Sequence, residues 1–333
     1  MRNVQTLQDF GHQRAKATKE PLVSLVVPVL NEQDSIKVFA DRIEEVFGPL
    51  ARTFDYEILF VNDGSNDATE FVIRTLIAEN PRICLLNLSR NFGKEAALSA
   101  GLEHARGDAV IPMDVDLQDP PEIIPEMLEK WRMGAKVVNA RRTARKNDTW
   151  AKRATAGAFY KMFNMMADHP IPTDVGDFRL MDRQVVDVVR DLGERARFNK
   201  MLFSWVGFDV DEVHYERPAR SAGESNWSYW KLWNFALDGI FSSTTAPLRM
   251  WTYVGGFASL TAFAYAAFIL IYTLVTGGDT PGYASTVVLI LGFGGLNLFA
   301  LGIIGEYIGR IYTEVRERPL YVVRSVHGAD KGA

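Results

Sequence analysis

Short apolar runs alternate with amphipathic stretches in the N-terminal part of the chain. Residues 22–29, 56–61, 83–88 and 109–113 are brief, apolar and rich in β-branched side chains, as strands are. Residues 32–47, 67–78 and 94–105, which lie between them, have helix length and amphipathic composition. Strand and helix therefore alternate, which predicts an α/β domain: a mostly parallel sheet with helices on both faces, binding ligands at the C-terminal ends of its strands. Further along, residues 251–275 and 283–305 contain no charged side chain. As helices they would run roughly 34 to 38 Å against a hydrocarbon core of about 30 Å, so two membrane-spanning helices are predicted. Just before them, residues 227–241 place Lys231, Asn234 and Asp238 on one narrow helical stripe, with Trp227, Trp230 and Trp233 among the apolar remainder. That pattern fits a helix lying in the headgroup layer. A helix packed on the sheet would look similar, and the adjoining span favours the interfacial reading. The implied divisions are a polar arm (1–20), an α/β domain (21–225), an interfacial region (226–248), two spanning helices (249–310) and a C-terminal tail (311–333).

Charge orients this arrangement. Arg249 precedes the first span and Arg310, Arg316, Arg318 and Arg324 follow the second, whereas residues 276–282 between them hold no Lys or Arg. The positive-inside rule puts both termini and the α/β domain in the cytoplasm. The first twenty residues show no apolar signal-peptide core, which agrees. A single Cys84 excludes an intrachain disulfide, and a net charge of −4 argues against a nucleic-acid partner.

The candidate chemistry gathers where the four apolar runs end. Asn31 and Glu32 follow the first run, residues 62–66 the second, residues 89–93 the third, and Asp114 with Asp116 the fourth. The last pair is the most specific: two carboxylates one residue apart would point the same way from an extended backbone and offer hard oxygen ligands to Mg²⁺ or Mn²⁺. Taken alone, such a pair is better explained by a solvated acidic loop, and it is the context of the other strand ends that favours the metal. Basic residues Arg141, Arg142, Arg145 and Lys146, then Lys152 and Arg153, form charge runs of the kind that face solvent or lipid headgroups. Glu306, near the end of the second span, either reaches the interface or meets Arg310 four residues on. Residues 321–323 have the composition of a small strand.

Several motifs carry a resemblance to a known family. V-V-P-V-L-N-E (26–32), V-N-D-G-S-N-D-A-T (61–69), L-S-R-N-F-G-K-E-A-A (88–97), D-V-D-L-Q-D-P-P-E (114–122), G-D-F-R-L-M (176–181) and G-E-Y-I-G-R-I-Y (305–312) occur in order. From about residue 22 to 323 the chain resembles the family 2 glycosyltransferases of the GT-A nucleotide-sugar-binding fold. Within them it is most similar to the polyprenyl-phosphate glycosyltransferases, the group of dolichol-phosphate mannose synthases and bactoprenol glucosyltransferases.

The resemblance implies a site. Pro28, Asn31, Glu32 and Asp63 would hold the nucleoside, Asp114 and Arg141 would serve the donor diphosphate, and Asp114, Asp116 and Gln118 would surround a divalent metal. Asp177 matches the family's catalytic-base segment. Its acceptor would be a lipid monophosphate with a second pKa of about 6, largely dianionic at neutral pH, so Asp177 either orients that phosphate or takes a residual proton. Arg179, Lys200 and Arg220 are the candidates for the acceptor phosphate. One departure stands out: relatives commonly read G-x-S-K, whereas Asn226 follows Ser225 here, so Lys231 substitutes or the phosphate contacts differ.

The implied reaction is inverting, metal-dependent transfer of one sugar from a UDP-sugar to a polyprenyl (undecaprenyl) phosphate at the cytoplasmic face of a bacterial inner membrane. A homo-oligomer, plausibly a tetramer, is expected, with Gly292, Gly294, Gly295, Gly302, Gly305 and Gly309 allowing close helix contact. A processive polysaccharide synthase would carry a Q-x-x-R-W motif and more spans, and neither is present. A non-catalytic lipid-phosphate-binding scaffold is the other alternative, and the intact Asp114, Asp116 and Asp177 argue against it.

Overall fold

The computed structural model describes residues 20–143, 175–194, 199–216, 244–276 and 282–328. The predicted alternation is present as β1 (Leu22–Val29), α1 (Ile36–Phe47), β2 (Asp55–Asn62), α2 (Thr69–Glu79), β3 (Ile83–Leu88), α3 (Lys94–His104) and β4 (Ala109–Pro112). After these come α4 (Ile124–Arg132), β5 (Val137–Arg142), β6 (Val175–Asp182), α5 (Arg183–Asp191), α6 (Asn199–Trp205) and β7 (Val210–Tyr215). With β8 (Val323–His327) the strands form one eight-stranded sheet in the order β7-β5-β6-β4-β1-β2-β3-β8. The β4-β1-β2-β3 centre is parallel, while β6 runs antiparallel to both β4 and β5, and β8 antiparallel to β3. This is the GT-A nucleotide-sugar-binding fold. Between β1 and β4 the winding reverses, and in such sheets that crevice is where ligands bind.

Alternation along the central strands fills two cores. Leu25, Val27, Ile58 and Phe60 pack with Ile36, Phe39 and Ile43 of α1, Ile73 of α2 and Met127 of α4. Val26, Leu59 and Val61 face Ala97, Leu98 and Ala100 of α3 and Val185 of α5 on the other side. The small side chains of α3 set how near it lies: a Cβ on Gly101 would meet Val26 Cγ1 at 2.2 Å. At the far end of α3, buried Glu57 accepts from Ser24 Oγ (2.5 Å), Arg106 N (2.9 Å) and Arg106 Nη2 (2.6 Å), which secures the turn into β4. α3 is thus pressed on the sheet along its length, and its first turn is delivered to the crevice.

Among the described residues two helices, α7 (Ala246–Thr276) and α8 (Tyr283–Val315, its span Val288–Val315), are long and apolar enough to cross a membrane, and neither span is buried inside the chain. They extend beyond the runs expected from the sequence. α7 begins inside the region assigned to the interface, and α8 continues past Gly305 through Glu306 and Arg310, which pair at 2.9 Å. A helix need not stop where charge begins, because i,i+4 partners compensate each other on its surface. Tyr307 Oη donates to the Thr244 carbonyl (2.7 Å), and Trp251 meets Phe299 edge-on, which joins the hairpin near its base. The small C-terminal strand also differs from expectation. Val322 only accepts from Ser89 N (2.8 Å), and the ladder with β3 covers Val323–His327. Arg324 pairs with Glu70, Ser325 with Asn87, and Tyr321 with Glu103, so side chains tie this edge to α2, β3 and α3. Residues 227–241, Arg145, Lys146, Lys152, Arg153, Ser225, Asn226 and Lys231 lie outside the described residues.

Candidate active site

At the open end of the crevice the loops after β1 and β2 are sewn together. Asn31, at a positive φ of 56°, donates its N–H to Ser65 Oγ (2.9 Å), and its Oδ1 accepts from Asn66 N (2.8 Å). Glu32 N donates to Thr69 Oγ1 (2.9 Å), and beneath them Asn62 Nδ2 donates to Asn87 Oδ1 (2.9 Å). Gly64, at φ 74°, lets this turn touch the next loop, since a Cβ there would lie 2.6 Å from the Arg90 carbonyl carbon.

Asp63 is buried at that contact. Its Oδ1 accepts from Phe92 N (2.7 Å) and its Oδ2 from Gly93 N (2.9 Å), which fixes the backbone immediately before α3. Burial pushes its pKa up, with the two N–H donors working against that shift. The carboxylate expected to read a nucleoside thus also acts as the clamp on the 90–93 loop.

The clamp places Lys94, the first residue of α3, in the crevice. Its ammonium lies 2.7 Å from Asp114 Oδ1 and 3.0 Å from Asp177 Oδ2, so it bridges the end of β4 and the start of β6. Burial disfavours the ammonium, but Asp114 and Asp177 outweigh it and raise its pKa above the ordinary lysine value. Around it is a cleft of about 300 Å³ lined by Pro28, Glu32, Asp63, Lys94, Asp114 and Asp116, among others.

The expected extended backbone at Asp114 and Asp116 is not found. β4 ends at Pro112, residues 115–116 turn, and Leu117 has φ 54°. The ladder to β6 covers only Ala109 and Val110, so nothing holds the chain extended beyond it. Val115 is buried, Asp114 is half-buried and Asp116 is exposed. Both carboxylates nevertheless reach the same cleft. Gln118 donates its backbone N–H to Asp116 Oδ1 (3.1 Å). Asp119, which stands in the 114–122 motif but has no role implied there, pins the turn from behind: it is buried, accepts from Tyr215 Oη (2.5 Å) and pairs with Arg142 at 3.3 Å. Burial, reinforced by Asp119, pushes the Tyr215 hydroxyl up to about 12.

The other expected residues are placed more peripherally. Arg141 pairs with Glu212 of β7 at 3.0 Å. Arg179 is buried on the face of the sheet that it shares with Asp177, its guanidinium 4.5 Å from the centre of the Phe203 ring and Nη2 donating to the Gly176 carbonyl (2.7 Å). Burial lowers its pKa to about 10. Lys200 is the second residue of α6; its side chain, like all of Arg220, lies outside the described residues. Neighbouring Asn199 donates its N–H to Glu95 Oε2 (3.0 Å) and so ties α6 to the first turn of α3. Lys94 is the site residue that reasoning from sequence misses. It stands in a recognised motif, but its carboxylate partners are remote along the chain.

No group of three or more His, Cys, Asp or Glu side chains suited to a metal occurs among the described residues. Asp114 and Asp116 still fit Mg²⁺ or Mn²⁺ of the substrate-bridging kind, which takes one or two carboxylates and fills its sphere with water and phosphate oxygens.

The sheet, with acidic residues at its switch point, is that of a GT-A glycosyltransferase, and it is followed by two helices long and apolar enough to cross a membrane. The chain belongs to the family described as glycosyl transferase family 2, whose pattern matches residues 24–190; a second pattern, the GtrB C-terminal hairpin, matches residues 246–311. The prophage-derived bactoprenol glucosyl transferase of Shigella flexneri is 51% identical over 305 residues, 92% of this chain and 98% of that one. An uncharacterised glycosyltransferase of Synechocystis is 51% identical over 308 residues, 92% and 96% of the two chains. A prophage bactoprenol glucosyl transferase homolog of Escherichia coli is 48% identical over 304 residues, 91% and 99% of the two chains. Among solved structures, a mannosyltransferase of Pyrobaculum calidifontis in complex with GDP-Man and Mn²⁺ aligns with TM-score 0.42 at 17% identity, covering 87% of this chain and 88% of that one.

The clamp has a measurable consequence. Asp63→Ala strands two backbone donors and is expected to lower stability by about 1–3 kcal/mol. Thermal unfolding of the detergent-solubilised chain measures it, and an unchanged midpoint would contradict the clamp.

Proposed function

We propose that this chain transfers one sugar, with inversion, from a UDP-sugar to a polyprenyl phosphate at the cytoplasmic face of the membrane. The observation that carries the reading is that Asp114 and Asp116 line one cleft at the switch point of the sheet, whose Lys94 also reaches Asp177, in a chain that also holds the apolar hairpin. Relatives named for bactoprenol glucosyl transfer, near 50% identity across almost their whole length, support the acceptor class. UDP as the nucleotide rests on the likeness to the bacterial subgroup.

Donor binding falls to the strand ends. Pro28, Asn31, Glu32 and Asp63 line or frame the nucleoside side, and Asp114, Asp116 and Gln118 would hold a Mg²⁺ or Mn²⁺ ion. Such an ion, when bound, neutralises charge on the departing diphosphate. Arg141 would contribute further positive charge if it left Glu212 for the donor. The acceptor's phosphate oxygen attacks the anomeric carbon from the face opposite the leaving UDP, the bond to the β-phosphate oxygen breaks, and one displacement inverts the centre. Asp177, beyond Lys94 from Asp114, stands on the acceptor side, where it orients the phosphate. Arg179, Lys200 and Arg220 are the remaining candidates for that anion.

Placement at a membrane follows the same logic. A lipid acceptor need lift only its phosphate into a site held beside the headgroups. Because β8 follows the hairpin and pairs with β3, a double crossing by α7 and α8 returns the chain to the side of the catalytic domain. Helix glycines such as Gly295 and Gly302 have open space beside them, which suits close helix contact in a homo-oligomer such as a tetramer.

Asp116→Ala tests the chemistry. Asp116 is exposed and accepts one backbone bond, so its loss should leave the fold intact. Transfer is expected to fall by about 100-fold or more. Full activity in this variant, measured as glycolipid formed by purified protein with Mn²⁺, would remove the metal from the reading.

Topology is tested with introduced thiols. Cys84 is buried, and burial pushes its thiol up to about 11, so background labelling should be low. A cysteine replacing Thr280 should react with a membrane-impermeant reagent in intact spheroplasts, while one replacing exposed Glu45 should react only after lysis. The reverse pattern would put the domain away from cytosolic nucleotide sugars.

A further inference from the structure

The donor-side and acceptor-side carboxylates share one cation. Lys94 Nζ is within 2.9 Å of both oxygens of Asp114 and 3.0 Å from Asp177 Oδ2. Its backbone is not free to follow another partner, because Asp63 holds Phe92 and Gly93 and Asn199 donates to Glu95. Only the side chain can move. A metal bound at Asp114 and Asp116 needs an Asp114 oxygen that Lys94 now occupies, so ammonium and metal compete for the same carboxylate. Once metal and diphosphate take Asp114, the ammonium keeps Asp177 and has donors released beside the place where the acceptor phosphate must sit. An acceptor dianion approaching an unpaired Asp177 would otherwise meet like charge.

We propose that Lys94 is a resident cation passed from Asp114 to the acceptor phosphate when the metal-bound donor arrives, so that donor binding prepares the acceptor site. The proposal rests on the function proposed above and adds to it the residue that couples the two ligands: Lys94, held by Asp114 until the metal-bound donor arrives. A differential interaction of this kind is what couples two binding events.

The test is Mn²⁺ binding to the full-length chain in detergent, by titration calorimetry without nucleotide, for wild type, Lys94→Gln and Lys94→Arg. Removing the competing ammonium should tighten Mn²⁺ by about tenfold in Lys94→Gln, and Lys94→Arg should stay near wild type. In steady-state transfer, Lys94→Gln should raise the KM for polyprenyl phosphate by about tenfold with little change in the KM for nucleotide sugar, and Lys94→Arg should recover much of the loss. Mn²⁺ affinity that is unchanged or weaker in Lys94→Gln, or a KM rise confined to the donor, would overturn the handover. A fall in thermal stability with both KM values unchanged would also overturn it, reducing Lys94 to a structural ion pair. If Lys94→Gln does not fold, Lys94→Met serves, with the same expected tightening. Wild type that binds no Mn²⁺ even with UDP present would instead sink the metal-dependent reading itself, and the handover with it.

Discussion

The cleft depends on the placement of the first turn of α3 at the open end of β1 and β2. Two constraints set it. Gly101 and the alanines let the helix lie against Val26, and Asp63 grips the two N–H groups that precede it. Together they decide where Lys94 can reach. Lys94 in turn sets the spacing of Asp114, two residues past the end of β4, and Asp177 of antiparallel β6, which share no ladder pairing. A buried carboxylate that accepts two backbone donors is therefore central to the placement of Lys94, apart from any contact it makes with the nucleoside.

The helical hairpin and the domain are linked through more than the chain itself. β8 adds an antiparallel edge to a sheet whose centre is parallel, and Arg324, Ser325 and Tyr321 carry side-chain contacts to α2, β3 and α3. Pairing β8 onto β3 also covers an edge that would otherwise expose unpaired backbone groups. The helix bearing Glu306 and Arg310 leads into this strand, so the hairpin is fastened to the domain after α8.

Much of this architecture is legible in the amino-acid sequence. The runs at 22–29 and 83–88 coincide with β1 and β3, because a short β-branched stretch between polar clusters has few alternatives. The later strands are hidden from such a pattern. β6 carries Asp177, Arg179 and Asp182, and β7 reads Val-Asp-Glu-Val-His-Tyr, so their apolar signal is interrupted by residues that serve ion pairs or the site. Asp114 and Asp116 stand out as a pair, but for a geometry the chain does not adopt; a turn stabilised by Asp119, Arg142 and Tyr215 brings them to the cleft instead. Sequence spacing reports neighbours along a strand. It is silent on contacts such as Lys94 with Asp177, which exist only once a helix start and a distant antiparallel strand are packed together.

The central claim is that one cleft joins a nucleotide sugar to a lipid phosphate. The most direct measurement is to incubate the purified full-length chain with Mn²⁺, a panel of isotopically labelled nucleotide sugars and a short polyprenyl phosphate, and to weigh the lipid product. One UDP-sugar is expected to yield a lipid heavier by a single hexose-type residue, with UDP released in equal amount. Release of UDP without a glycosylated lipid, or a product carrying several sugars, would contradict the account.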